Sequence, residues 1–133
     1  MSQVTSTTND SGTVVLRNEQ HQDEFLTFAT GGTVVRGTIL ARDGSSLKLV
    51  PFVKGGTIDS AGNGNGAPKA VIDYDVTAAG AGDVRVRVLV RGVLSKVRLV
   101  IAADGDASRI DAGVADQLRM CGFTLNQAQQ LAT

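Results

Sequence analysis

Residues 80–101 have the sequence GAGDVRVRVLVRGVLSKVRLVI, in which apolar and basic side chains alternate. One side of an extended chain would present Val84, Val86, Val88 and Val90, and the other Arg85, Arg87, Leu89 and Arg91. A period of two predicts a strand with one buried and one solvated face. Glycines on either side of it favour short turns. The alternating residues 84–91 include no nucleophile or metal-binding side chain, so the strand indicates a scaffold and not a reaction.

The composition sets the size and kind of core. A chain of 133 residues, 42% of them hydrophobic, is long enough for one domain that buries roughly two thirds of its unfolded surface. Sixteen glycines, four phenylalanines, one tyrosine and no tryptophan describe a core of small branched aliphatic side chains with many turns. These features predict a mainly β fold.

Charge and apolar runs limit the partners. Thirteen basic and thirteen acidic residues cancel, whereas nucleic-acid binding depends on a positive surplus that neutralises phosphates. No apolar run approaches the roughly 20 residues of a membrane span, and MSQVTSTTND has no signal-peptide pattern. We expect synthesis in the cytoplasm and direct contact with neither nucleic acid nor membrane. A single cysteine, Cys121, excludes an intrachain disulfide and argues against a cysteine-based metal site.

Three regions differ in composition. Residues 1–24 are mostly polar, which predicts a flexible N-terminal arm, with one β-prone cluster formed by Thr13, Val14, Val15 and Leu16. Residues 25–125 alternate apolar and polar positions around glycines and predict a β-rich domain, in which 55–68 form a surface loop and 70–76 a strand. Residues 126–133 are a tail that we leave unassigned.

The last element of the domain is predicted to be a helix over about residues 109–121. Ser108 and Asp111 have the spacing of a capping box, and Gly122 fits a left-handed stop, with Phe123 placed to touch the helix. Apolar residues recur at helical spacing at Ile110, Val114, Leu118 and Cys121.

Two glycine-containing motifs have simpler explanations than ligand binding. Gly62, Gly64 and Gly66 resemble a phosphate loop only in glycine count, because a proline and a strand follow where a helix would be required. Asp104 and Asp106 suggest a calcium loop, but the downstream bidentate glutamate is missing. We assign the two aspartates to the dipole of the following helix.

The titratable residues give no catalytic constellation. His21 lies in the predicted arm, where a general base would not be held in place, so we expect it to be solvated. Asp73 and Asp75 could act as paired carboxylates, although a hydrated outer strand face, or an ion pair with Arg85 or Arg87, explains them better. We predict no catalytic residue, no cofactor and no metal ligand. The stripe of Arg85, Arg87 and Arg91 is a candidate contact face for an acidic partner, with a solvated sheet face as the alternative.

Three apolar segments together resemble a known family. They are Gly37-Thr38-Ile39-Leu40, Ala70-Val71-Ile72 before Asp75-Val76, and Val88-Leu89-Val90-Arg91-Gly92, followed by RLVI and a closing helix. In this order the chain, over about residues 25–123, resembles the head decoration proteins of tailed bacteriophages, the family of the lambda head decoration protein. None of the segments is an active-site motif, so the likeness depends on the order and spacing of strands.

The resemblance implies a mainly β fold of the β-clip kind, with bent hairpins or an incomplete barrel and one packed helix. It further implies a homotrimer on the outer surface of the expanded virion capsid, bound to the major capsid protein and stabilising the head against internal DNA pressure. The arm cluster Thr13–Leu16 would dock by adding a strand to the capsid. The stripe of Arg85, Arg87 and Arg91 would then be a contact face for another subunit or the capsid.

Two other classes of function remain open. A binding module displayed on the virion would use loop 55–68 to recognise a host surface or glycan. A nucleotide hydrolase of β-clip architecture, similar to the dUTPases, would need a glycine-rich nucleotide motif with a catalytic aspartate, of which Tyr74 between Asp73 and Asp75 is only a fragment.

Overall fold

The computed structural model describes residues 14–126, with the backbone alone for 15–18. It is mainly β, as the composition predicts, with one α-helix. The strands are β1 (Val15–Phe28), β2 (Gly32–Val34), β3 (Ile39–Arg42), β4 (Leu49–Pro51), β5 (Gly64–Val71), β6 (Val76–Ala78), β7 (Gly82–Ser95) and β8 (Phe123–Asn126). Helix α1 spans Ala112–Met120, and a short 3-10 turn follows β7 at Lys96–Arg98. In this part of the chain no helix is long and apolar enough to cross a membrane.

Five strands close into a barrel. The main sheet has the order β1-β4-β3-β5-β7-β8, and β1 also pairs with β7, so that β1, β4, β3, β5 and β7 form a ring with β8 as an added parallel strand. The closing pair is antiparallel and long, from Val15 opposite Leu94 to Phe28 opposite Gly82. Strands β2 and β6 form a separate two-stranded sheet.

Two apolar clusters hold the barrel together. All five barrel strands contribute to the inner cluster, whose members include Leu26, Leu40, Leu49, Ile72, Val86 and Val88. The outer cluster lies on the opposite face of β3, β5 and β7 under the helix, and includes Phe52, Val71, Leu89, Leu99, Leu118 and Phe123. Strands β3, β5 and β7 are therefore buried on both faces over part of their length, which explains the short apolar runs Ile39–Ala41, Ala70–Val71 and Val88–Val90 within them.

Strand β7 confirms the alternation for most of its length. Val86 and Val88 are buried, whereas Arg85 and Arg87 are exposed. Leu89 departs from the pattern, since it is fully buried in the outer cluster although it shares the side of the arginines.

The helix starts three residues later than predicted. Asp111 is itself the N-cap: its Oδ1 accepts a hydrogen bond from the Val114 amide at 3.1 Å, so Ser108 lies outside the helix. Hydrogen bonds from Lys54 and from the backbone hold the pKa of Asp111 down to about 2. The predicted stop is confirmed, because Gly122 has a φ of +113° directly after the last turn. The predicted burial of Val114 and Leu118 is also confirmed.

Three predicted boundaries are wrong. The prediction of a flexible arm is wrong for residues 15–24, which belong to β1 and lie in the segment paired with β7, whereas residues 1–13 lie outside the described part of the chain. Residues 64–68 are not loop but the start of β5, a barrel strand between β3 and β7. The strand predicted over 70–76 is divided, with β5 ending at Val71 and β6 beginning at Val76.

Candidate functional site

The cluster expected to dock on a capsid is part of the domain where the structure describes it. Val14 is only 3% exposed and belongs to the outer cluster, and its carbonyl accepts a hydrogen bond from the Ser95 amide at 2.9 Å. Val15 and Leu16 lie in β1, with Val15 opposite Leu94. Thr13 lies outside the described residues. The segment from Val14 onward thus pairs with β7 of its own barrel, so that one of its two edges is already occupied.

The outer face of β1 and the first half of β7 form an exposed surface with mixed chemistry. We call this surface, formed by Asp23, Phe25, Arg85 and Arg87, the β1/β7 face. Asp23 lies opposite Arg87 and Phe25 opposite Arg85, while Asp23 Oδ2 lies 3.2 Å from Arg85 Nη2. Phe25 is 50% exposed, and Lys48 Nζ lies 6.0 Å from its ring centroid. Exposed aromatic and arginine side chains side by side are typical of protein interfaces.

Beside this face, the side chain of Tyr74 accepts a hydrogen bond from the edge of β7. Among the described residues, β5 pairs with β7 only where Val71 lies opposite Leu89. Strand β5 therefore no longer covers this edge of β7 at Arg87. There the Arg87 amide donates a hydrogen bond to Tyr74 Oη at 3.0 Å. Tyr74, itself 42% exposed, therefore covers a backbone donor that would otherwise be open to strand addition.

The three arginines of the predicted stripe do not form one surface. All are exposed, but buried Leu89 separates Arg91 from the other two. The Arg91 side chain lies over Gly122, where a Cβ would come within 3.5 Å of its Nε. Arg85 and Arg87 belong to the β1/β7 face, whereas Arg91 belongs to the region around β8.

A partly buried ion pair lies at one end of the inner cluster. Arg42, the last residue of β3, binds Glu24 of β1 with both guanidinium nitrogens, at 3.0 and 3.1 Å. Arg42 Nη1 also donates to the Leu47 carbonyl at 2.8 Å. The Glu24 side chain is 13% exposed, and the hydrogen bond from Arg42 lowers its pKa despite the opposing effect of burial. The pair ties β1 to β3 across the intervening β4 and has a structural role.

The carboxylates suggested as a catalytic pair lie apart in their contacts. Asp73 Oδ2 lies 3.1 Å from His21 Nε2, whereas Asp75 Oδ1 accepts a hydrogen bond from the Arg36 amide at 2.8 Å. Neither makes the predicted ion pair with Arg85 or Arg87. The expectation that His21 is solvated is also wrong, because β1 holds its side chain at 17% exposure.

The two glycine-containing motifs have structural roles. Gly64 and Gly66 begin β5, and a Cβ at Gly66 would overlap the backbone of Gly56. Asp104 Oδ1 lies 3.4 Å from Arg109 Nη1, and Asp106 Oδ1 accepts a hydrogen bond from the Ser108 amide at 2.8 Å. The helix begins well after these residues, so its dipole does not explain them. Asp104 Oδ2 is buried and has no hydrogen-bond partner within residues 14–126.

Cys121 lies at the end of the helix and is packed against the outer cluster. Burial raises the pKa of its thiol to about 11, so it is protonated and unreactive at neutral pH.

Comparison with known proteins adds no family: no family model and no curated protein matches this sequence.

The β1/β7 face is only partly predictable from the sequence. Its arginines are visible in the β7 alternation, but Asp23 falls in the segment predicted to be flexible, and the sequence predicts Phe25 only as the first residue of the domain.

Proposed function

We propose that this protein is a capsid decoration protein that binds as a trimer to the outer surface of an expanded tailed-phage head and cements it, without catalytic activity. The main support is the position of the three segments that resemble the head decoration proteins. Ile39-Leu40 begins β3, Ala70-Val71 ends β5, and Val88–Gly92 is the middle of β7. These strands are neighbours in the barrel wall. A resemblance that falls on neighbouring strands of one sheet is expected when two proteins share a fold.

The β1/β7 face is the contact surface that this proposal favours. Phe25 supplies apolar area, and two basic side chains lie beside it, Arg85 in an ion pair with Asp23 and Lys48 in an ion pair with Asp83. Arg85 and Asp23 are 72% and 59% exposed, so the ion pair between them is largely solvated and can exchange for pairs with a capsid subunit at little loss. Many modest contacts of this kind on a repeating lattice reinforce one another.

The experiment is co-sedimentation with heads assembled from the major capsid protein encoded in the same genome. We expect saturable binding to expanded heads, weak binding to unexpanded heads, and a sedimentation-equilibrium mass corresponding to three chains for the binding species. Heads carrying the protein should resist disruption by heat or chelators better than bare heads.

Two variants locate the surface. Phe25→Asp combined with Arg85→Glu should lower head binding at least tenfold while far-UV circular dichroism stays unchanged. Met120→Asp combined with Arg119→Glu makes the same change of charge at two exposed positions on α1 and serves as the matched control. Equal binding to unexpanded and expanded heads, or no binding to either, would contradict the cement function. Adsorption to host cells by decorated heads, and not by bare heads, would point to a host-binding module instead.

A further inference from the structure

The structure brings together three side chains that are separated in sequence and have the donor types of a metal site. Glu19 and His21 lie two residues apart on β1, and Asp73 follows the end of β5. The fold creates the juxtaposition, because His21 lies opposite Leu89 on β7, and Leu89 lies opposite Val71 at the end of β5. The three residues thus meet across the β7 strand.

The distances suit a small dication. His21 Nε2 lies 3.1 Å from Asp73 Oδ2 and 3.8 Å from Glu19 Oε2, and one donor atom from each residue lies within 4.8 Å of the other two. A tetrahedral ion with bonds of about 2.0–2.1 Å places its ligand atoms about 3.3 Å apart. Two of the donors are already at this spacing. Glu19, at 52% side-chain exposure, is free to move closer to both of them.

The local charge also favours a cation. Within the part of the chain that the structure describes, Glu19 and Asp73 form ion pairs only with His21. One imidazole therefore faces two carboxylates. A hydrogen bond between His21 and Asp73 explains the position of those two side chains, but it does not explain why Glu19 turns toward the same nitrogen.

We propose that Glu19, His21 and Asp73 bind a first-row transition-metal dication of the Zn²⁺ class, with water in the remaining coordination position. Imidazole is a preferred ligand for such ions, whereas Mg²⁺ and Ca²⁺ take oxygen ligands almost exclusively. His21 coordinates through Nε2, so its ring proton resides on Nδ1 in the bound state. This proposal is independent of the capsid function.

The ion has a defined mechanical effect on the barrel. Strands β1 and β5 are not neighbours, and both are joined to β7. A metal bridge from β1 to the segment after β5 therefore crosses β7 and fastens the first half of β1, where the pairing with β7 is interrupted by register shifts. Binding should stabilise the native state because the unfolded chain does not hold the three donors together.

The test uses the full chain without an affinity tag, stripped of metal. Titration calorimetry with ZnCl₂ should show one ion per chain, and the same titration with MgCl₂ should show none. At a free Zn²⁺ concentration about 100 times Kd, the stabilisation is about 2.7 kcal/mol. For a chain of this size this raises Tm by about 10 °C. Co²⁺ should give visible d–d absorption that Zn²⁺ displaces.

Variants that preserve shape identify the ligands. Removal of a residue that only supports a metal ligand lowers metal affinity roughly 10- to 100-fold. Asp73→Asn and Glu19→Gln change the ligands themselves, so each should lower Zn²⁺ affinity by at least this factor. Asp23→Asn, on the same strand, and Cys121→Ser should leave affinity unchanged. Circular dichroism of the metal-free proteins verifies that each variant folds. A Zn²⁺ dissociation constant above about 1 mM for the wild-type chain, which corresponds to a binding free energy weaker than about 4 kcal/mol, would overturn the proposal. Undiminished binding by Asp73→Asn would do the same.

Discussion

Val14 provides the sharpest test of the barrel closure, because a flexible arm and a packed strand predict opposite results for it. The side chain is 3% exposed and packs in the outer cluster beside Leu94. Val14→Ala removes two methyl groups, each worth about 0.8 kcal/mol of transfer free energy, and leaves a small cavity. We expect a loss of about 2 kcal/mol in the free energy of unfolding and a fall in Tm of about 6–10 °C.

The assay is urea unfolding followed by far-UV circular dichroism, since the chain has no tryptophan. Val97→Ala is the matched control, because Val97 is 47% exposed on the turn after β7 and its truncation should change stability by less than about 0.5 kcal/mol. Deletion of residues 2–20 should be more damaging still, since it removes Val14 and the pairing of β1 with the end of β7. Equal stability of Val14→Ala and Val97→Ala, or a truncated chain as stable as the full one, would refute this reasoning.

Three further changes test other parts of the fold. Gly66→Ala should destabilise by about 1–3 kcal/mol in urea unfolding, because its Cβ has no room against the facing backbone, whereas Gly80→Ala, with open space around it, should be nearly neutral. Glu24→Gln should cost about 2 kcal/mol at pH 7 by leaving Arg42 without its charged partner. The folded-state pKa of Glu24 is lowered, so its contribution is present above its ordinary value of 4.5 and is lost as pH falls below it; the stabilities of the two proteins should therefore converge in acid. Cys121 should react with a disulfide reagent at pH 8 far more slowly in the folded protein than in urea, and equal rates would contradict its burial.

The parts of the fold that the sequence predicts are those with local signals. The β7 alternation and the helix periodicity depend on side-chain spacing within one element, and both are confirmed. Strand β1 was missed because half of it is polar, and polar composition is the usual signature of a segment that buries too little to fold. Its order comes from backbone pairing with a strand more than fifty residues away, and its inward Glu24 is satisfied by Arg42 of β3.

The candidate sites were less predictable, because they combine distant segments. The E-x-H spacing of Glu19 and His21 is visible in the sequence and is consistent with two ligands on one strand. The third donor, Asp73, is placed only by the contact of β5 with β7. For the same reason, the arginines of β7 were predicted as one stripe, although the packing of Leu89 divides them.

The pairing of the first barrel strand with the seventh has a consequence for synthesis on the ribosome. β1 cannot be paired along its full length until residue 95 has emerged, which at roughly 5 to 20 residues per second leaves it waiting for several seconds. An unpaired strand is a template for aggregation, and charged or polar side chains along it are the usual protection. The run NEQHQDE in β1 supplies that protection. The composition that conceals this strand from sequence analysis is therefore what we expect to keep the nascent chain soluble until its partner arrives.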